Sequence, residues 1–180
     1  MTNEAEIMQA IRHYRHDYLN DLQLLHGYAQ LGKWDKVKEK MNMYVQKANN
    51  ERELDQLNIP KTSLYIYRTN WETNNIQLSF SVNKKVDIAS NSNIDESLKY
   101  HLEELINEIH FYENPNELII AELDMELETS EKLNIRLILA HNFKDIVKLT
   151  EKLKNKKFIA DIKENRNDHL IINWVEIERR

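Results

Sequence analysis

The stretch RHYRHDYLNDLQLLHGYAQLGKWDKV, Arg12 to Val37, carries three of the chain's seven histidines and both of its glycines. Apolar or aromatic residues fall at Ile7, Ile11, Tyr14, Tyr18, Leu22, Leu25 and Ala29, so a helix gathers them into one seam. GKWD (Gly32 to Asp35) supplies a turn, with Gly32 placed to end that helix. A second periodic run, Trp34, Val37, Met41, Val45 and Ala48, continues to about Leu57. NIP at Asn58 to Pro60 then stops it, because the residue before proline resists helix. The segment is therefore read as a hairpin of two long antiparallel helices. Two helices that each bury one face make a poor core alone, so pairing with a second copy into a dimeric four-helix bundle is expected. Packing of the hairpin onto its own C-terminal half is the alternative.

From Thr62 onward the texture is mixed. TSLYIYRTNW reads as a short helix, and IQLSFSV (Ile76 to Val82) alternates with period two as a half-buried strand does. Ile94 to Glu113 has a helical apolar face through Leu98, Leu102, Leu105 and Ile109, with Asn93 as its expected cap. Strands ELIIAELDME and KLNIRLILAHN, a helix around Phe143 to Leu153, and strands FIADIKE and HLIINWVEI complete the order. A mostly antiparallel sheet with helices on one face accommodates it. The expected class is α+β, with a helical hairpin over 1–60 and an α/β sandwich over 61–180.

The 180 residues are 41% hydrophobic and 31% charged, enough for a core in a soluble chain. No uncharged apolar run approaches the ~18 residues of a membrane span. MTNEAEIMQAIRHYRHD lacks a basic region followed by an apolar stretch, so no signal peptide is expected. The absence of cysteine excludes disulfides and thiolate metal sites and fits the cytoplasm. A net charge of -5 disfavours broad attraction to nucleic acid. Two glycines in the whole chain exclude a glycine-rich phosphate loop, so any phosphate chemistry must use side chains.

With Tyr14 at zero and about 100° per residue, the seam centres near 40° while His16 falls at about 200°. Arg12, Asn20, Gln23 and Gly27 land at roughly 160°, 240°, 180° and 220°. His16 therefore belongs to a polar, solvent-facing stripe. Asn20, one turn on, is placed to hydrogen-bond a group attached to that imidazole, and Gly27 lets another protein's backbone come close. Arg15 and Asp17 flank His16; a guanidinium holds phosphate oxygens, and a carboxylate orients or deprotonates an imidazole.

The run YRHDYLNDLQLLHGYAQLGKWDKV resembles the histidine segment of the sporulation initiation phosphotransferase B family, which shares its helical hairpin with a class of two-component sensor kinases. The pattern is Arg15-His16-Asp17, Asn20, Leu22-Gln23-Leu24, Gly27 and the aromatic–aspartate pair Trp34-Asp35. It covers about the first third of the chain; beyond Pro60 the likeness is architectural apart from Asn70-Trp71. The resemblance implies that His16 accepts a phosphoryl group from a response-regulator aspartate and passes it to another regulator. Asp17, Asn20 and Arg15 then assist, and Arg12, Gln23 and Gly27 belong to the docking surface. It also implies a homodimer through the hairpin and a C-terminal half derived from a histidine-kinase ATPase domain that has lost nucleotide binding. No tightly bound cofactor or metal is expected, and magnesium would come with the partner regulator.

Residues 33–180 contain no glycine, which removes the flexible segments a kinase nucleotide lid requires. LEELINEIHFYEN aligns with the kinase asparagine box, where Glu104 and Glu108 stand in place of asparagines. Autophosphorylation from ATP is therefore not expected. The competing reading is a dimeric scaffold that binds a response regulator or a GTPase with His16 idle. A metal site on His13 and His16 lacks further ligands. His26, His101, His110, His141 and His169 show no motif spacing and are read as structural or surface groups. Trp34 and Trp71 are read as packing anchors, and KLKNKKF (Lys152 to Phe158) as a solvated helix end.

Overall fold

The computed structural model describes residues 3–73, 75–84, 92–165 and 169–177. The chain divides into two compact units, Met1–Glu51 and Arg52–Arg180, with the division falling inside the second helix.

The first unit is the hairpin of α1 (Asn3–Gln30) and the greater part of α2 (Trp34–Asp55). Gly32 closes α1 with φ of +66°, in the left-handed region that glycine enters without a Cβ clash. Lys33 N donates to Tyr28 O at 2.9 Å and Gly32 N to Ala29 O at 3.0 Å. These paired bonds satisfy carbonyls that the helix end would leave open. Across the turn, Tyr44 lies near Asp21 and Lys36 near Tyr28, so the two helices run antiparallel. Ile11, Tyr18 and Leu22 of the α1 seam remain 51%, 56% and 42% exposed, and Met41 and Val45 of α2 remain 52% and 59% exposed.

The second unit holds α3 (Pro60–Glu72), β1 (Ile76–Lys84), α4 (Ser92–Tyr112), β2 (Ile119–Thr129), β3 (Lys132–Ala140), α5 (Ile146–Lys154), β4 (Ile159–Asn165) and β5 (His169–Ile177). The strands form a mixed sheet in the order β1-β2-β3-β5-β4. β1 runs parallel to β2, as its crossover through α4 requires; the other pairings are antiparallel. Alternation along β2 buries Ile119, Ala121, Leu123, Met125 and Leu127, and leaves Glu122, Asp124 and Glu126 on the opposite face. Leu54, Leu57 and Ile59 join this core from the chain leading into α3. The expected α+β class is observed. Two helix starts differ from expectation: Asn93 lies inside α4, and α5 begins at Ile146 because the Asp145 side chain accepts Lys148 N–H as its cap.

Long-range polar contacts tie these layers together. Ile59 at the N-terminus of α3 has no side-chain cap, and Pro60 fills the first position. The buried Asp95 carboxylate supplies the cap from α4, accepting Lys61 N–H at 3.0 Å and Thr62 N–H at 2.8 Å. The Asn70 side chain accepts from Leu78 N and donates to Leu78 O, both at 2.8 Å, which fastens α3 to edge strand β1. Buried Glu176 on β5 accepts from Ser97 at 2.7 Å, Trp174 Nε1 at 2.9 Å and His101 Nδ1 at 2.5 Å, and so joins the sheet to α4.

Replacing Asp95 with Ala leaves two helix N–H groups without their acceptor and is expected to cost about 1–3 kcal/mol in urea unfolding. An unchanged midpoint would remove the carboxylate from its capping role. A Cβ at Gly27 meets nothing within 4 Å. Gly27→Ala is therefore expected to stabilise the hairpin by about 0.5–1 kcal/mol, whereas Gly32→Ala is expected to destabilise it by about 1–2 kcal/mol. Circular dichroism melts of the two variants should shift in opposite directions; shifts of the same sign would contradict this account of the turn.

Candidate functional site

The polar stripe of α1 is the part of the molecule where an exposed imidazole meets fixed neighbours. The His16 side chain is 72% exposed. Its Nδ1 lies 3.2 Å from Asp17 Oδ1, and Asn20 Nδ2 lies 3.3 Å from Nδ1 and 3.5 Å from Nε2. The spacing of four residues that brings Asn20 under the ring is the ordinary neighbour relation of a helix. Asp17 Oδ1 accepts a proton from Nδ1 in one tautomer, and Asn20 Nδ2 donates to an unprotonated Nδ1 in the other, so the two neighbours serve the two states of the ring.

Arg12, Arg15 and Gln23 are exposed on the same helix, and Gly27 is half-buried with open space where a side chain would project. Arg12, Gln23 and Gly27 share the side of α1 that bears His16, while Arg15, one residue earlier, is turned by about 100° from it. The structure adds a pair that the sequence reading left out. Tyr44 on α2 lies near Asp21 on α1, and its hydroxyl is held above the usual phenol range, first by burial and then by that carboxylate. The only sequence signal was a tyrosine just outside the apolar periodicity of α2.

His13 is half-buried one turn before His16. Among the described residues no three His, Cys, Asp or Glu groups gather as metal ligands. In the second unit, His101 bonds to Glu176, His110 Nδ1 to Glu113 at 2.7 Å, and His141 Nε2 accepts Asn114 N–H at 3.0 Å. Each of these rings has a local structural partner. Glu104 and Glu108 both face Lys156, at 3.0 Å and 3.4 Å. Burial opposes the charge on Lys156, but the bond to Glu104 and the fields of both carboxylates outweigh it and hold its pKa above the usual lysine value. A cavity of about 300 Å³ between Asp55, Pro60, Leu64 and Tyr67 contains none of the residues of the α1 stripe. No helix among the described residues is long and apolar enough to cross a membrane.

Residues 1–58 match the family model of the SpoOB-type sensor kinase alpha-helical domain. Sporulation initiation phosphotransferase B of Bacillus subtilis (strain 168) is 34% identical over 82 residues, which cover 46% of this chain and 42% of that protein. The match thus spans less than half the length of this curated relative. Among solved structures, the blue-light activated histidine kinase EL346 of Erythrobacter litoralis aligns with a TM-score of 0.42 at 11% identity, covering 99% of this chain and 60% of that one. The histidine kinase ThkA in complex with the response regulator TrrA aligns with a TM-score of 0.41 at 11% identity, covering 95% and 61%. The similarity to the SpoOB-type alpha-helical domain thus lies in the N-terminal hairpin, residues 1–58.

Proposed function

We propose that the protein is a phosphorelay histidine phosphotransferase that takes a phosphoryl group onto His16 from a response-regulator aspartate and returns it to another regulator, without ATP. The observation that carries this reading is the exposed His16 ring held between Asp17 and Asn20, in a hairpin that matches the model of the SpoOB-type alpha-helical domain. The Nε2 lone pair attacks phosphorus, an N–P bond forms, and the acyl-phosphate P–O bond breaks with its electron pair leaving on the aspartate carboxylate. Asp17 accepts from Nδ1–H throughout and steadies the positive charge that develops on the ring. Asn20 donates to the ring or to a phosphoryl oxygen, and Arg12 and Arg15 place positive charge along the same helix. Both linkages are labile and close in energy, so the work of the site is alignment and charge neutralisation. Magnesium arrives with the regulator. Support for the absence of kinase chemistry lies in the C-terminal unit, where Glu104 and Glu108 are engaged by Lys156 and the sequence from 33 to 180 has no glycine.

The same reading makes the protein a homodimer. Apolar side chains on both helices stand exposed beside the intrahelical-hairpin contact, and a second hairpin covers them in a four-helix bundle. The boundaries proposed for the two parts are 1–60 for dimerisation and phosphotransfer and 61–180 for the degenerate kinase-like domain.

Incubation of wild-type protein with a phosphorylated response regulator should place an acid-labile, alkali-stable phosphate on His16, and His16→Gln should lose it with helicity unchanged. Label persisting in that variant defeats the assignment; stoichiometric regulator binding with no phosphate on wild-type His16 identifies the scaffold instead. In sedimentation, the wild type should run at twice the chain mass and Tyr18→Glu with Leu22→Glu at the chain mass. A monomeric wild type would overturn the bundle.

A further inference from the structure

The cavity at the junction of α2 and α3 lies wholly within the second unit, and the phosphotransfer reading makes no use of it. α2 ends at Asp55, and Gln56, Leu57 and Asn58 close its last turn by donating backbone N–H bonds to the carbonyls of Arg52, Leu54 and Asp55 at 3.2, 3.0 and 3.2 Å. Asn58 then takes φ of +50°, a left-handed conformation that asparagine enters more readily than most residues bearing a Cβ. Pro60 opens α3, and residues four and seven positions on, Leu64 and Tyr67, repeat along the same face. These three side chains wall the space of about 300 Å³, with Ile59 buried beneath and Leu64 still 46% exposed at its edge. The Tyr67 ring is braced from behind: it stacks on Trp71 and meets Phe80 edge-on, each with centroids 6.1 Å away.

Asp55 brings the carboxylate of this lining. It stands at the C-terminal end of a helix, where the backbone dipole is already negative and an acidic side chain is disfavoured. The cations closest in sequence are taken elsewhere, Arg52 by Glu53 at 3.4 Å and Lys61 by Glu96 at 2.7 Å. Among the described residues, neither the Asp55 carboxylate nor the Asn58 side chain has a hydrogen bond or ion pair. The Ser63 hydroxyl donates to Ile59 O at 3.0 Å and so is spent within the chain. What remains for a visitor is one negative group, one amide and three apolar walls.

We propose that this cavity binds a small organic cation, a primary ammonium carried on an aromatic or short aliphatic body. The ammonium donates to the Asp55 carboxylate and to the Asn58 side-chain carbonyl, and the body lies against Pro60, Leu64 and Tyr67. Charge complementarity selects this class. Asp55 and the end of α2 repel an anion, and a magnesium or calcium ion, which takes six or more oxygens, finds one carboxylate and apolar walls. A neutral apolar molecule would cover the carboxylate without pairing it. The volume is at the lower end of the range for small-molecule sites, which suits a ligand of this size. The site is independent of His16 and of the phosphotransferase reading.

The test titrates isotopically labelled full-length protein with three probes of one shape and different charge: phenethylamine, 2-phenylethanol and 3-phenylpropionate. Amide resonances of residues 55–67 report binding. The amine should shift them saturably, the alcohol should bind about 3- to 10-fold more weakly, and the carboxylate should bind weakest of the three. Added salt should narrow the gap between amine and alcohol. Asp55→Asn should abolish that gap while leaving the weak binding of the alcohol in place, and Leu64→Ser should weaken amine and alcohol alike. Equal affinity of the wild type for amine and alcohol overturns the proposal, as does the absence of any saturable shift at residues 55–67. An advantage for the amine that survives in Asp55→Asn places the cation elsewhere and overturns it as well.

Discussion

The reversal at Gly32 is the constraint on which the hairpin depends. A single left-handed residue, with the two hydrogen bonds that close around it, fixes where α1 stops and how α2 is turned as it starts. That rotation decides which side chains meet across the pair. It brings Tyr44 near Asp21 across the hairpin. A rotation of one residue, about 100°, would scatter the α2 stripe away from that of α1. The chemistry of His16 is local to α1, but its setting is a property of the turn.

Much of this was legible in the sequence because it is written in short periods. The spacing of three and four through Leu25, the glycine at 32 and the proline at 60 each act within one or two turns of chain, and the hairpin follows from them. The strands were visible for the same reason, through alternation such as that of Ile119 to Leu127. The polar stripe around His16 is likewise a matter of angle on one helix. What stayed hidden depends on residues far apart in sequence. Nothing near Asp95 reveals that it caps a helix beginning 35 positions earlier at Pro60, and nothing near Glu176 announces Ser97 and His101. Asn93 failed as a cap because Ser92 is already helical, an error of a turn's fraction that local preference cannot resolve.

The two units handle polar groups in opposite ways. In the C-terminal unit, buried and half-buried polar side chains are satisfied by one another: Glu176 takes three donors, Asp95 takes two backbone N–H groups, and Lys156 bridges Glu104 and Glu108. Such closed networks resist change, since removing one member strands the others. On the hairpin, the corresponding groups are exposed and carry at most a neighbour or two. A surface that exchanges partners needs groups of the second kind, and a frame that holds its shape needs the first.

The Asn70 amide has a consequence for the sheet as a whole. β1 is an outer strand, and its uncovered backbone groups are an invitation for other chains to extend the sheet. By offering one carbonyl and one amino group to the same residue, Leu78, the side chain imitates a short length of neighbouring backbone. It occupies the position from which a foreign strand would begin to zip. A helix residue thereby acts as a terminator of sheet growth, guarding a crowded cell against templated assembly through this margin.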